Sequence, residues 1–379
     1  MTHWDTIVVG VGGMGSAALW HLARRGQRVL GLERFDIPHA HGSSHGISRI
    51  IRLPYYESPA YVLLLHRAYE LWRELEAVSG RELLVVTGSI DASPEDDPLF
   101  QGALRSACDH HLEHSVMTGT EVNDRFPGYS LPNNHRALYQ PMGGLVASER
   151  AIVAHVEAAQ AAGATVRARE PILTWEADRN GVRVTTASND YRADRLVLTT
   201  GAWMGHHVAS LKTVAVPERQ VLAWMQPAKP ALFMPNRFPV FNLQVDEGRY
   251  YGLPIYDVPG FKFGRYHHFG ETGSADAVCT EPVARDEVML RQFAERYFPD
   301  GAGATLALRT CMFTNTPDEH FIVDHHPDHA NVVIASPCSG HGYKFATVIG
   351  EILADLASGD GRTQHDIAFL KLNRAGVTV

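Results

Sequence analysis

The segment Gly10-Val11-Gly12-Gly13-Met14-Gly15 constrains this chain more than any other. It fits the pattern GxGxxG, and its flanks are those the pattern needs. The run Thr6-Ile7-Val8-Val9 precedes it as a strand, a helical stretch from about Met14 to Arg25 follows, and Val29-Leu30-Gly31-Leu32-Glu33 reads as a second strand. In such a βαβ opening the first glycine makes the tight turn, the second lets backbone reach a pyrophosphate, and the third lets helix and strand pack closely. Glu33 ends the second strand, where a carboxylate can accept both ribose hydroxyls. A dinucleotide-binding α/β domain is therefore expected. The fingerprint alone does not separate NAD from FAD, because both carry the ADP half that it binds.

With 379 residues the chain is long enough for two domains. A helix is predicted from about Pro59 to Ala77, with Val62, Leu65, Ala68, Tyr69, Trp72 and Leu75 at helical spacing. Leu84 to Ile90 is strand-like, and the stretch to Gly144 is mixed. A second αβ region opens at Ser148, with a helix to about Ala162 and strands at Thr165–Arg169, Gly181–Thr186 and Leu196–Thr199. Between Val214 and Cys311 the period-two runs Val240–Val245, Arg249–Leu253 and Phe261–Tyr266 predict an antiparallel sheet facing a ligand, with a helix near Glu287–Tyr297. Val332–Ala335 and a helix from about Lys344 to Leu356 return to strand-then-helix. The domains interleave: residues 1–83, 145–212 and 318–379 are expected to form the nucleotide domain, and 84–144 and 213–317 the substrate domain.

Charge and cysteine usage narrow the partners. A formal charge of −8, from 34 basic and 42 acidic residues, leaves no basic footprint for nucleic acid or an anionic membrane. No run of about eighteen apolar residues exists to span a bilayer. Cys108, Cys279, Cys311 and Cys338 lack both zinc-site pairing and disulfide-scaffold density, which fits a reducing cytoplasm. His110-His111-x-x-His114 has metal-like spacing without supporting ligands and is expected as a solvated helix face; His325-His326 also lacks a metal pattern, so no metal is expected. There is no HExxH, GxSxG or P-loop to carry protease, hydrolase or nucleotidase chemistry.

Three more motifs, in order, carry a family resemblance. They are Gly42-Ser43-Ser44-His45-Gly46-Ile47-Ser48-Arg49-Ile50-Ile51-Arg52, then Cys311-Met312-Phe313-Thr314-Asn315-Thr316-Pro317-Asp318-Glu319, then Ser339-Gly340-His341-Gly342-Tyr343-Lys344-Phe345. From Thr6 to about Asn373 the chain resembles the monomeric sarcosine oxidase family, which also holds N-methyltryptophan and pipecolate oxidases. The resemblance implies a Rossmann-like FAD domain of the p-hydroxybenzoate-hydroxylase type, carrying an antiparallel-sheet substrate domain. It implies a monomer that oxidises a secondary amino acid to an imine, with molecular oxygen as acceptor and hydrogen peroxide as product.

The same resemblance assigns roles. FAD is expected on Gly10, Gly12, Gly13, Met14, Gly15, Glu33, Arg34, Ser43, Ser44, Arg49, Ile172, Gly201, Trp203, Gly340, Gly342, Tyr343 and Lys344, with an 8α-S-cysteinyl bond at Cys311. Cys338 is a second candidate for that bond. His45 and Arg49 are expected beside the ring, Arg52 and Lys344 on the substrate carboxylate, and Lys262 at the oxygen reaction. The Arg49–Arg52 segment is an irregular loop over the flavin in the family; a helical turn would put both guanidinium groups on one face. The active-site histidine is expected at His267, with His268 as alternative, because one extra residue separates Lys262 from the histidine that follows. Tyr251 is expected in the substrate pocket, with Asn242, Gln244 and Tyr256 as further candidates. Two glycines in Ser339-Gly340-His341-Gly342 suit backbone approaching a flat ring, and the following helix would aim its positive end at it. The competing readings are a D-amino acid or glycine oxidase or dehydrogenase with non-covalent FAD, a nicotinamide-dependent dehydrogenase, and a non-catalytic flavin-binding protein.

Overall fold

A computed structural model describes residues 3–278, 280–374 and 377; Cys279 lies outside them. The opening βαβ forms as the sequence predicts: strand His3–Val9, helix Gly13–Ala23 and strand Val29–Leu32, with the two strands parallel. Asp190–Leu198 pairs parallel to the first strand on its other side, and His329–Ser336 pairs parallel to Asp190–Leu198. Eight strands make up this sheet, with Thr165–Arg167 at one edge and the hairpin Ile172–Asp178 and Gly181–Thr186 at the other end of the path. The helices Gly13–Ala23, Tyr61–Ser79, Ser148–Ala161 and Ala346–Leu356 contribute to one apolar cluster that covers it.

The helix predicted near Pro59 runs Tyr61–Ser79, burying Val62, Leu65, Ala68, Trp72 and Leu75, and stops at Gly80, whose φ of 66° closes it in the left-handed region. Every residue of Ala346–Leu356 except Asp355 is buried. The predicted apolar stripe is thus wider than one face, because this helix packs against both the first helix and Tyr61–Ser79.

A second eight-stranded sheet takes the order Thr305–Asn315, Val216–Met225, Phe261–Arg265, Gly248–Leu253, Val240–Val245, Ser89–Pro94, His135–Gln140, Ser115–Thr118. It is antiparallel as predicted except at one junction, where Val240–Val245 runs parallel to Ser89–Pro94. Successive side chains alternate between its faces. Val221, Ala223, Phe241, Leu243, Phe261 and Phe263 pack with Phe293, Tyr297 and Phe298 of and beside the helix Ala284–Tyr297. The residues between them point the other way, and there the sheet meets the nucleotide end of the molecule. A small sheet of Ser48–Ile51, Gly144–Ala147 and Leu84–Val86 lies between the two.

Two local expectations are corrected. Arg49 lies in the strand Ser48–Ile51, not in a helical turn or irregular loop, because this stretch pairs antiparallel with Gly144–Ala147. His110, His111 and His114 follow the helix Pro98–Asp109 and do not form one of its faces, since the chain turns at His111 with φ 52°. Among the described residues no three His, Cys, Asp or Glu side chains cluster as metal ligands, and no helix is long and apolar enough to cross a membrane.

Candidate active site

One cavity of about 490 Å³ is walled by the glycine fingerprint and by the inner face of the second sheet. Its lining includes Gly10, Gly12, Gly13, Met14, Glu33, Arg34, Ser43, Ser44, Arg49, Arg52, Ile172, Gly201, Trp203, Tyr251, Cys311, Gly340, Gly342, Tyr343 and Lys344. Gly15, His45, Lys262 and His267 from the predicted set do not line it.

The nucleotide end fits a dinucleotide. Gly10 has φ 89°, and a Cβ there would meet the Thr199 carbonyl at 2.5 Å; a Cβ at Gly15 would stand 1.8 Å from the Gly10 carbonyl. Gly15 thus serves the packing of helix on strand. A Cβ at Gly12 would meet only Ser44 Oγ at 3.6 Å, so the cavity is open at that point. The helix starting at Gly13 has no N-cap side-chain bond and no acid in its first turn; the Gly13 N–H donates to Ser44 Oγ at 3.3 Å, and the positive dipole end is left to an anion. The buried Glu33 carboxylate accepts the N–H groups of Val11 at 2.8 Å and Phe35 at 3.0 Å; burial pushes its pKa up against those bonds. Each oxygen keeps a lone pair for a ribose hydroxyl.

Across the cavity, Cys311 is 3% exposed, and its Sγ lies 3.6 Å from Arg49 Nη2. Burial pushes the thiol up, but the neighbouring His45 ring and the Arg49 charge outweigh it and hold the thiol at about 7. Cys338 also lines the cavity, and there burial dominates and pushes the thiol to about 11. Arg49 is fixed by donating to the carbonyls of Ser43 at 2.8 Å and Ser48 at 2.9 Å. Lys262 is buried behind this wall and donates to the carbonyls of Gly46 at 2.7 Å and Ser48 at 2.5 Å. Burial, then the Arg49 charge, pulls its pKa well below that of an ordinary lysine.

The remaining wall is cationic. Arg52, 1% exposed, pairs with Glu57 at 3.1 Å and approaches Asp91 at 3.5 Å. Lys344 Nζ donates to the His341 carbonyl at 2.6 Å and to the Tyr55 hydroxyl at 3.3 Å. Burial, then Arg52, lowers its pKa to about 7. His341 Nε2 lies 2.9 Å from the Glu319 carbonyl, which can only accept, so this nitrogen carries the proton and Nδ1 accepts from Tyr55 at 2.7 Å. Burial depresses the imidazole to about 4, which keeps it neutral.

The structure does not bring His267 to this cavity. Lys262, Gly264 and Tyr266 share one face of the sheet by strand alternation, and Tyr266 lines the cavity, T-shaped to Tyr251 with centroids 5.1 Å apart. The chain then leaves the strand with positive φ at His267 and His268. His267 is held by Glu218 at 2.9 Å and Glu319 at 3.1 Å, carboxylates that raise its pKa to about 9. His268 is buried against Asp286 at 2.8 Å. Asn242 lines the cavity, but Gln244 and Tyr256 do not: the first donates to the Val245 carbonyl and the second receives a bond from Arg150. The glycines of Ser339-Gly340-His341-Gly342 are required by the turn itself. A Cβ at Gly340 would strike the Phe313 ring at 2.5 Å, and one at Gly342 the Pro337 carbonyl at 1.6 Å. Counting in twos from Lys262 finds Tyr266; nothing in the sequence marks Glu57 or Asp91 as partners of Arg52.

Comparisons agree with this geometry. The model of the family "FAD dependent oxidoreductase" (DAO) matches residues 5–356. A monomeric sarcosine oxidase of Streptomyces avermitilis is 42% identical over 380 residues, covering 98% of this chain and 97% of that protein. An N-methyl-L-tryptophan oxidase of Yersinia pestis is 33% identical, covering 98% of this chain and 99% of that protein. The solved structure of NikD, described as an unusual amino acid oxidase essential for nikkomycin biosynthesis, superposes with a TM-score of 0.85 at 26% identity, covering 98% of each chain. A fingerprint open at Gly12, a buried acid at Glu33 and matches over nearly the whole length place the chain in the FAD-dependent oxidoreductase family, among the relatives of monomeric sarcosine oxidase and N-methyltryptophan oxidase.

Proposed function

We propose that this enzyme is an FAD-dependent oxidase of a secondary amino acid, N-methylated or cyclic, giving an imine that water hydrolyses and hydrogen peroxide. The observation that carries the reading is the meeting of two buried cations, Arg52 and Lys344, with the thiol Cys311 on one cavity whose far end is the dinucleotide fingerprint. When bound, FAD supplies the hydride acceptor that no side chain offers.

The chain's part is positioning. Arg52 offers a planar fork to the substrate carboxylate and Lys344 a point charge, which fixes the amine carbon over the ring. The substrate nitrogen must shed its proton before reaction. Cations at Arg49, Arg52 and Lys344 favour that loss, and the neutral His341 adds no competing charge. Arg49 offers positive charge to reduced oxygen species, Lys262 serves the same step by taking up a proton as that negative charge forms, and Cys311 is the point of covalent flavin attachment, favoured over Cys338 by its lower thiol pKa. Residues 1–83, 145–212 and 318–379 hold the cofactor in this reading, and 84–144 and 213–317 the substrate. The enzyme works as a cytoplasmic monomer.

An oxygen electrode and a peroxide assay over a panel of N-methyl and cyclic amino acids, matched with glycine and D-amino acids, test the proposal. The secondary amines should be oxidised with peroxide release. A preference for the primary amines would replace this reading with the D-amino acid or glycine oxidase alternative.

A further inference from the structure

We infer that the amino acid taken by this site carries a second acidic group, a side-chain carboxylate, and that Arg249 binds it; this rests on the secondary-amino-acid reading above. Arg249 stands two residues before Tyr251 on the same strand, so the two side chains share one sheet face; Tyr251 lines the cavity, and Arg249 lies beside the lining without being part of it. Its guanidinium carbon lies 3.7 Å from the ring centre of Tyr266, a cavity residue, and 5.2 Å from that of Tyr56.

The stack orients a cation that has no anion. Among the described residues no carboxylate comes within salt-bridge distance of Arg249, its side chain donates no hydrogen bond, and its Nε is buried without a partner. The acids whose charge it feels most are Glu57 and Glu319, and each is occupied: Glu57 by Arg52 at 3.1 Å and Glu319 by His267 at 3.1 Å. Arg249 is half-buried with its Nε closed off from water, and a guanidinium nitrogen so enclosed is ordinarily paired. A guanidinium left open beside a substrate cavity is matched by an anion that arrives with the substrate, and its fork geometry suits a carboxylate.

Asp91, an acid on the same sheet face, does not offer the opposite preference. Asp91 is wholly buried, accepts from Asn242 at 2.9 Å and sits 3.5 Å from Arg52, so it is closed to a cationic side chain. With Arg52 and Lys344 on the α-carboxylate and Arg49 donating to the Ser43 and Ser48 carbonyls, Arg249 is a guanidinium still without an acceptor and is open to a second arm.

The test compares N-methylglutamate with N-methylglutamine, equal in size and differing by one charge, on the FAD-loaded wild type and on Arg249→Met and Arg249→Lys. The same proteins are titrated with two unreactive ligands, glutarate and its half-amide glutaramate, by thermal shift. The wild type should favour the acid by about tenfold or more in kcat/KM and glutarate over glutaramate by a similar factor in Kd. Arg249→Met should bring both ratios to about one, and Arg249→Lys should keep part of each. Turnover of N-methyl amino acids with no preference for the acid, or a preference that survives in Arg249→Met, overturns the inference alone. A glutarate preference that depends on Arg249 without turnover of any N-methyl amino acid sustains the acid site and overturns the amine-oxidase reading.

Discussion

Replacing Cys311 with alanine should free the flavin, and the structure gives a magnitude for why Cys338 does not substitute. The thiols sit at about 7 and about 11. At pH 8 the first is roughly nine-tenths thiolate and the second roughly a thousandth, a ratio of about a thousand. A less basic thiolate is also a weaker nucleophile; with a Brønsted coefficient of about 0.45, four units of basicity return roughly 60-fold. The net advantage of Cys311 is still about fifteenfold, before geometry is counted. Attachment would break one C–H bond of the flavin methyl group and the Cys311 S–H bond, form a C–S bond, and pass the two electrons and two protons to oxygen as hydrogen peroxide.

The assay is acid precipitation followed by in-gel fluorescence, with apoprotein and FAD mixed over a range of pH. The wild type and Cys338→Ala should retain fluorescence in the protein band, while Cys311→Ala should release all of it to the supernatant. The attachment rate should rise about tenfold per pH unit below pH 7 and level off above it. Release of all flavin by the wild type, release from Cys338→Ala alone, or a rate still climbing at pH 10 would refute the reasoning.

Three further variants extend the account. Lys262→Met should slow flavin reoxidation far more than reduction by substrate in stopped-flow traces, because it removes the amine, held by the Gly46 and Ser48 carbonyls behind the cavity wall, that takes up a proton as oxygen gains charge; equal losses in both half-reactions count against it. Lys344 is protonated below about pH 7 in the free enzyme, so binding it as an ammonium above that pH takes up a proton. The Ki of a simple carboxylate inhibitor should therefore weaken by about tenfold per pH unit above 7 in the wild type and lose this dependence in Lys344→Met. Arg52→Ala leaves Glu57 and Asp91 buried without their cation, which should cost about 3–5 kcal/mol of stability in a denaturant titration. The same variant should weaken N-methyl amino acids by about 2–5 kcal/mol and leave their decarboxylated amines little changed.

The parts of the site legible in the sequence are those whose spacing is set by backbone geometry. Gly10, Gly12 and Gly15 are demanded by the turn, the open wall and the helix–strand contact, so their pattern is visible without neighbours. Alternation along Phe261–Arg265 likewise predicts which side chains face the cavity, and it favours Tyr266 over His267. Matching by residue type selected His267, but the backbone turns at that point and hands its ring to Glu218 and Glu319. Pairings across distant segments leave no such trace. Asp91 reaches Arg52 only because its strand lies parallel to Val240–Val245, and nothing near Asp91 in the chain announces that neighbour. For the same reason Arg249 reads as an ordinary strand residue until the ring of Tyr266 is placed beneath it.

Anaerobic mixing of the holoenzyme with an N-methyl amino acid, followed by admission of oxygen, measures the reaction at its two halves. The flavin absorbance should bleach fully with one equivalent of substrate, and it should recover with release of one equivalent of peroxide. A flavin that stays oxidised with every secondary amino acid, yet bleaches with a primary D-amino acid or with a reduced nicotinamide, would contradict the assignment.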